Sequence, residues 1–230
     1  MTNKTFLIIG ASRGIGKALV LKLAKDPNNK VIALSRNEKA LSTFCTGDNI
    51  DFYCFDLASS TLKSDLNSIL DNYSNIDYVV NNAGKLVNKP FMDLTDEDIR
   101  ACYDVNIISV MKATQCILPK MQEKGGHILN ISTMGGFQGS AKFAGLSAYS
   151  TSKAAVASFT ELLAEEFKDT GVKSNCLCLG AVQTEMLAEA FPGYEAPVKP
   201  EEMATFIADF LQQAHLFMNG KIIPVSLSTP

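Results

Sequence analysis

The stretch "IIGASRGIGKALV", residues 8–20, joins an apolar run of strand length to a segment with the hydrophobic spacing of a helix. Three glycines, Gly10, Gly14 and Gly16, stand at the junction. In a strand-to-helix turn, one glycine permits the tight reversal, a second lets a pyrophosphate approach the backbone, and a third lets helix and strand pack closely. The stretch therefore predicts a dinucleotide-binding turn; the alternative is a turn whose glycine serves only helix packing.

Apolar runs and helical segments alternate along the rest of the chain. Each apolar run is almost continuously hydrophobic, as expected for a strand covered on both faces. The predicted strands lie in "KTFLIIG", "KVIALS", "IDFYCFDL", "IDYVVNNAG", "GGHILNIST", "VKSNCLCLG" and "GKIIPVS". The alternation predicts an α/β fold, a single-domain, Rossmann-like, doubly wound parallel sheet of about seven strands with helices on both faces.

Helical spacing is found in five segments between these strands: residues 16–26, 62–73, 96–121, 148–171 and 200–214. No repeat or linker indicates a second domain, so we expect one domain over residues 1–230. The least regular stretch, around residues 186–200, contains Gly193 and three prolines that break any long helix. Because ligands of such sheets bind beyond the carboxyl ends of the strands, we expect this stretch to be a short substrate lid; a plain surface connection is the alternative.

Composition narrows the function classes. A net charge of -3 with interspersed signs predicts neither a nucleic-acid partner nor a charged tail. The six cysteines lack paired zinc spacing, so we expect reduced core residues and no metal. No signal peptide or membrane span is indicated, which predicts a cytoplasmic protein without a membrane partner. His127 and His215 have no partner pattern and are expected on the surface or at element ends.

Several further motifs follow the glycine turn in order. They are "NNAG" at 81–84, an Asn at Asn106 in a long predicted helix, "NIST" at 130–133, "YSTSK" at 149–153 and "LGAVQT" at 179–184. With G-x-x-x-G-x-G in the first turn, this series resembles the short-chain dehydrogenase/reductase superfamily over essentially the whole chain. The resemblance implies one domain of that family, an oxidoreductase that uses a nicotinamide cofactor.

The end of the second predicted strand bears on which nicotinamide cofactor is used. An acidic residue there would bind the ribose hydroxyls of NAD, whereas arginine accommodates the extra phosphate of NADP. The chain has Ser35 and Arg36 at this point, and Arg13 in the glycine turn could supply a second cation. These residues predict NADP(H), although either arginine alone is also compatible with a solvated surface position.

The resemblance also implies which residues contact the cofactor. Asp56 and Leu57 would flank the adenine, "NAG" would line the adenosine ribose side, and Val182 and Thr184 would meet the nicotinamide carboxamide. The full expected set is Gly10, Ser12, Arg13, Gly14, Ile15, Gly16, Ser35, Arg36, Asp56, Leu57, Asn82, Ala83, Gly84, Tyr149, Lys153, Gly180, Val182 and Thr184.

Tyr149 and Lys153 stand four residues apart at the start of a predicted helix, so their side chains share a face. The lysine ammonium and the nicotinamide ring are expected to lower the pKa of the tyrosine. By the resemblance, a hydride passes between nicotinamide and a carbonyl carbon while Tyr149 transfers the proton on oxygen. Lys153 would hold the nicotinamide ribose, and Asn106 would position a water; capping of a helix irregularity is a compatible role for Asn106.

The chain differs from the family pattern at the residue that would donate a hydroxyl hydrogen bond to the carbonyl oxygen. Members often end the fifth strand with two serines, the second being catalytic, whereas this chain has Ser132 followed by Thr133. Thr133 is favoured over Ser132, because strand alternation points Ser132 to the other side. The interval from Thr133 to Tyr149 is also about three residues longer than is usual in the family.

The leading hypothesis is an NADPH-dependent reductase of a small carbonyl compound, reversible to oxidation of the alcohol. Apolar residues in the predicted lid suggest an apolar or amphipathic substrate. The alternative is an NADPH-binding sensor or scaffold with little turnover. Small residues after Tyr149 would permit close helix contact, and the resemblance implies a homodimer or homotetramer.

Overall fold

Seven parallel strands form one sheet in the order β3-β2-β1-β4-β5-β6-β7. The computed structural model describes residues 3–227. The strands are β1 (Lys4–Ile9), β2 (Asn29–Ser35), β3 (Ile50–Cys54), β4 (Tyr78–Asn81), β5 (Gly126–Thr133), β6 (Val172–Leu179) and β7 (Ile222–Val225). The predicted Rossmann-like, doubly wound sheet is confirmed.

Helices cover both faces of the sheet. They are α1 (Gly14–Leu23), α2 (Glu38–Ser42), α3 (Leu62–Leu70), α4 (Asp96–Tyr103), α5 (Ser109–Ile117), α6 (Ser147–Glu166), α7 (Glu185–Ala190) and α8 (Pro200–Gln213). The single helix predicted over 96–121 is divided by a π-helical turn at Asp104–Ile108. The helices α2 and α7 were not predicted, because five or six residues are too few to show a helical period.

The core has two layers, one on each face of the sheet. Side chains of a strand alternate between faces, so Phe6 and Ile8 pack with α1 and α8, while Leu7 and Ile9 pack with α3 and α5. All four are at most 2% exposed. Burial of such a side chain contributes about 1.5–3 kcal/mol, which explains why these strands are apolar at successive positions.

The strand order reverses between β1 and β4. From β1 the chain crosses one face to β2, and from β4 it crosses the other face to β5. The loops that leave β1 and β4 therefore diverge beyond the edge of the sheet and leave a crevice between them. This crevice is where the predicted site residues are to be found.

The cysteines only partly match the expected core positions. Cys45, Cys102, Cys176 and Cys178 are buried, but Cys54 is exposed and Cys116 is half-buried. Cys54 ends the edge strand β3, where one side of the backbone has no neighbouring strand, and this accounts for its exposure. The described residues contain no cluster of three metal-ligating side chains. Within 3–227, no helix has the length and apolar character to cross a bilayer.

His127 lies near the start of β5, at an element end as expected, but it is fully buried rather than on the surface. Its Nε2 accepts from the side-chain amide of Asn175 at 2.9 Å, and its Nδ1 donates to the Leu211 carbonyl oxygen at 2.8 Å. Both ring nitrogens are thus satisfied by the neutral imidazole. Burial lowers the pKa of His127 to about 4.

We expect the free energy of unfolding to decrease as the pH falls from about 6.5 to about 4. In this window the unfolded chain binds a proton at His127 while the folded chain does not, so the stabilisation is present above the unfolded pKa and is lost below it. The loss attributable to His127 amounts to about 3 kcal/mol at the acid end. Urea unfolding of the wild type and of His127→Gln across this range measures it. The wild type should lose more stability than the variant; equal slopes would contradict the assignment.

Candidate active site

A cleft of about 580 Å³ lies at the carboxyl ends of β1, β4, β5 and β6. Its walls include nearly every residue that the sequence singled out for cofactor binding or chemistry. The two exceptions are Gly16, which lies inside α1, and Asn106, which lies behind the wall. The fold therefore brings residues separated by more than a hundred positions into one site.

The three glycines of the first turn have different surroundings. Gly10 has φ +92°, and a Cβ there would lie 2.5 Å from the Ala83 amide nitrogen. A Cβ at Gly16 would lie 2.0 Å from the Gly10 carbonyl oxygen. Gly14 has φ +53° and faces the methyl group of Thr184. Gly10 and Gly16 are thus required because a side chain at either position would overlap neighbouring atoms of the chain. This requirement comes from the packing of the protein and does not depend on a bound dinucleotide.

Hydrogen bonds hold this turn against both neighbouring strands. The amides of Gly10 and Ala11 donate to the Leu34 carbonyl oxygen at 2.9 and 3.1 Å. The side-chain amide of Asn82 donates to the Gly10 carbonyl oxygen at 2.8 Å. Asn82, expected from the resemblance beside the adenosine ribose, therefore also fixes the shape of the glycine turn.

The start of α1 offers its amides to the cleft. The side chain of the N-cap residue Arg13 does not bond to the amides of the helix. The first turn of α1, which lies within the described residues, contains no acidic residue. Backbone N–H groups and the helix dipole make such an end a binding place for an anionic group. The turn thus has the chemistry that the pyrophosphate of a dinucleotide requires.

The two arginines of the expected phosphate site are in different situations. Arg36 is exposed at the end of β2, next to Ser35, whose hydroxyl donates to the Ser12 hydroxyl at 2.8 Å. Arg13 instead forms a two-armed ion pair with Glu189 of α7. Sequence reasoning missed Glu189, because no local pattern marks a partner 176 positions away.

Lys153 is buried beneath the cleft, with 3% of its surface exposed. Its ammonium donates to the carbonyl oxygens of Ile131 at 2.8 Å and Ala83 at 3.4 Å. Burial lowers the pKa of Lys153 to about 8. At pH 7 the group is still mostly protonated, and it joins the ends of β4 and β5 to α6.

The protein part of the site raises the pKa of Tyr149, whereas the lowering expected from the sequence relied on Lys153 together with a nicotinamide ring. The half-buried Tyr149 ring packs against Val87, Cys102 and Ala148, and burial raises the pKa of Tyr149 to about 12. The Lys153 ammonium is directed at main-chain carbonyls, so it does not offset this effect. The protein groups around Tyr149 therefore favour the protonated phenol at neutral pH.

Ser132 and Thr133 both line the cleft, but their side chains differ in burial and in hydrogen bonding. The buried Ser132 hydroxyl donates to the Lys153 carbonyl oxygen at 2.8 Å and thereby fixes β5 to α6. Thr133, at the last position of β5, is only half-buried. The strand alternation thus directs Ser132 under the helix.

Asn106 lies in the π-helical turn between α4 and α5 and is fully buried. Its Oδ1 accepts from the Lys85 amide at 2.7 Å, and its Nδ2 donates to the Lys85 carbonyl oxygen and the Ser152 hydroxyl, both at 2.9 Å. The side chain therefore holds the loop after β4 against α6. The sequence suggested capping of a helix irregularity as its structural role; Asn106 does lie in such an irregularity, but its side chain bonds to the neighbouring loop and helix instead.

The remaining walls of the cleft are apolar. They are formed by the loop between β5 and α6, the loop after β4, and the segment that begins with α7; the residues are Leu86, Val105, Met134, Phe143, Leu146, Met186, Leu187, Phe191 and Tyr194. The unusually long interval before Tyr149 lies in the first of these walls. Charged lining residues, apart from Lys153, belong to the glycine-turn side: Arg13, Arg36, Asp56 and Glu185.

The fold and the site define a class: a doubly wound α/β protein with a dinucleotide-type turn and a Tyr/Lys pair at the end of its cleft. A family model described as short chain dehydrogenase matches residues 4–195. The chain belongs to this family of oxidoreductases, as the motifs predicted.

Individual relatives agree with this assignment. The chain is 33% identical to the protein named ketoacyl reductase HetN of Nostoc, over 82% of this chain and 67% of that protein. It is 31% identical to oxidoreductase UcpA of Salmonella typhimurium, over 90% of this chain and 80% of that protein. A short chain dehydrogenase structure from Shigella flexneri, described as complexed with NADP, has a TM-score of 0.87 at 26% identity and covers 97% of both chains.

We expect Gly16→Ala to lower the free energy of unfolding by about 2 kcal/mol or more, since the new methyl group would force the Gly10 carbonyl oxygen, 2.0 Å away, to move. Gly84→Ala is the matched control. Its Cβ would make ordinary contacts of 3.5–3.6 Å with Asn106 and Lys153, so its stability should stay within about 0.5 kcal/mol of the wild type. Denaturant unfolding of both variants measures the difference, and equal losses would contradict this view of the turn.

Proposed function

We propose that the protein is an NADPH-dependent oxidoreductase that reduces a carbonyl compound, or oxidises the corresponding alcohol, with Tyr149 and Lys153 as its proton relay. One observation carries the proposal. Tyr149, Lys153 and Thr133 lie together in one cleft that is polar on the glycine-turn side and apolar on the other. This is the arrangement that a bound cofactor and an uncharged substrate would require of a shared site.

Several features support NADPH as the cofactor. The open end of α1 suits the pyrophosphate. At the end of β2, Ser35 and the exposed Arg36 stand where an acidic residue would favour NADH. The NADP named for the Shigella flexneri protein, which shares 26% of its residues with this chain, agrees with this choice. We therefore infer that Arg36 and Arg13 would hold the 2′-phosphate.

The protonation state of Tyr149 supports the direction of reduction. NADPH, when bound, would supply the hydride for the carbonyl carbon. Tyr149, whose pKa burial raises to about 12, retains its proton at neutral pH and can donate it to the carbonyl oxygen as negative charge develops there. The Lys153 ammonium, which is close to Gly84 and Ala83, can hold the nicotinamide ribose.

We assign the second donor to the carbonyl oxygen to Thr133. The Ser132 hydroxyl already donates to the Lys153 carbonyl oxygen, whereas Thr133 stands half-buried at the cleft. Its hydroxyl carries the same donor as the serine that members of the family often have. Hydrogen bonds aimed at the developing oxyanion lower the barrier of the reaction.

The apolar walls support an uncharged substrate with hydrocarbon substituents. The lining on this side of the cleft contains methionine, leucine and aromatic side chains; among the described residues its one charged member is Lys153, since Glu185 of α7 faces Gly14. The name of the Nostoc relative, a ketoacyl reductase, makes 3-oxoacyl thioesters one class to test.

For assembly, we propose a homodimer or homotetramer, which is supported by exposed apolar side chains at the start of α5 and on α6, Ile108, Met111 and Leu162.

The first experiment is NADPH oxidation by the purified protein with ketones, aldehydes, diketones and 3-oxoacyl thioesters, with NADH in parallel. We expect turnover that prefers NADPH. Tyr149→Phe should lower kcat by about 100-fold or more, because it removes the proton donor. The Kd for NADPH should change less than about twofold, since the ring and its packing remain. An active Tyr149→Phe protein would refute the mechanism.

Thr133→Ala should lower kcat by about 100-fold, which is typical of the loss of one oxyanion donor. Thr133→Ser should recover most of the activity, because the hydroxyl is restored. Ser132→Ala serves as the control and should have the smaller effect on kcat, together with a lower melting temperature from the lost bond to α6. If Ser132→Ala instead abolishes turnover while Thr133→Ala does not, Ser132 is the donor.

A further inference from the structure

An ion pair connects the glycine turn to the segment that closes the cleft. Arg13 precedes α1, and Glu189 lies near the end of α7. Each guanidinium arm donates to one carboxylate oxygen, Nη1 to Oε1 and Nη2 to Oε2, the latter at 3.3 Å. The side chains remain 45% and 64% exposed, so the pair is accessible to solvent and to a ligand.

The position of Glu189 is set by contacts at both ends of α7. At the start, the Thr184 hydroxyl accepts from the Leu187 amide at 3.2 Å, and its methyl group lies against Gly14. At the end, the Asn88 side-chain amide donates to the Ala190 carbonyl oxygen at 2.9 Å. The helix therefore presents the carboxylate of Glu189 to the glycine turn.

We infer that Glu189 is a specificity-determining residue: its carboxylate competes with the 2′-phosphate of NADPH for the guanidinium of Arg13. The inference rests on the proposed function. A carboxylate and a phosphate each use the two-armed geometry of a guanidinium, so the Nη1/Nη2 edge of Arg13, which Glu189 occupies, can serve only one of them at a time. NADH has the same pyrophosphate but a neutral hydroxyl at this ribose position, so only NADPH brings a phosphate there that can displace the carboxylate.

The competition lowers the affinity for NADPH without affecting that for NADH. Arg36, at the end of β2, is on the same side of the cleft and remains for the phosphate, so the preference for NADPH is reduced rather than removed. An exposed ion pair contributes little free energy, even with two arms. Release of Arg13 from Glu189 should therefore tighten NADPH binding by about three- to fivefold.

The test is the Kd of NADPH and of NADH, measured by nucleotide fluorescence, for the wild type and for Glu189→Gln. The matched control is Glu195→Gln, which removes the same charge from an exposed position five residues beyond α7. We expect Glu189→Gln to bind NADPH three- to fivefold more tightly, with NADH binding unchanged and with Glu195→Gln like the wild type. In an Arg13→Gln background, Glu189→Gln should have no effect on NADPH.

Other results would overturn the inference. Equal tightening for both cofactors would mean that Glu189 acts only by holding α7 closed. An equal effect of Glu195→Gln would mean a general charge effect, and unchanged NADPH binding in Glu189→Gln would mean that no competition exists. Each of these outcomes leaves the proposed function in place. A wild-type protein that binds neither cofactor would instead refute the proposed function and this inference with it.

Discussion

The site depends on the close contact between the glycine turn and the loop that follows β4. The amides of Asn82 and Ala83 donate to the Ile9 carbonyl oxygen, and the Asn82 side chain donates to Gly10. This spacing leaves no room for a Cβ at Gly10 or Gly16. Because β1 and β4 lie side by side and their crossovers leave to opposite faces, the two loops meet only here. The contact that holds these two loops together therefore also fixes the position of the crevice at the edge of the sheet.

A second constraint is the burial of a charged lysine. An ammonium removed from water is costly unless hydrogen-bond acceptors surround it, and Lys153 finds them in the Ile131 and Ala83 carbonyl oxygens. Ser132 and Asn106 donate to α6 at two neighbouring residues, through the Lys153 carbonyl oxygen and the Ser152 hydroxyl. These bonds fix the helix that carries Tyr149 relative to β5. The chemistry-bearing residues are therefore positioned by main-chain groups, which a sequence pattern does not reveal.

Whether a feature could be predicted from the sequence depends on how far apart along the chain the interacting residues lie. Seven strands and five helical segments could be predicted because hydrophobic period is a local property that the two-layered core imposes. The cleft residues followed from motif order, since each motif lies at a strand end. Pairing between distant residues left no such trace: Glu189 opposite Arg13 and Asn175 beside His127 are contacts of the tertiary structure. The same holds for the pKa of Tyr149, whose direction depends on packing against Cys102 and on where the Lys153 ammonium points.

These observations bear on the direction of the reaction. A tyrosine that keeps its proton at neutral pH is ready to donate it, whereas oxidation of an alcohol first requires the phenolate. A positive charge brought nearer to Tyr149 would stabilise that phenolate. The ring of an oxidised nicotinamide carries such a charge. The protein environment by itself therefore keeps Tyr149 in the protonated form that can donate, and an oxidised nicotinamide bound nearby would favour the phenolate.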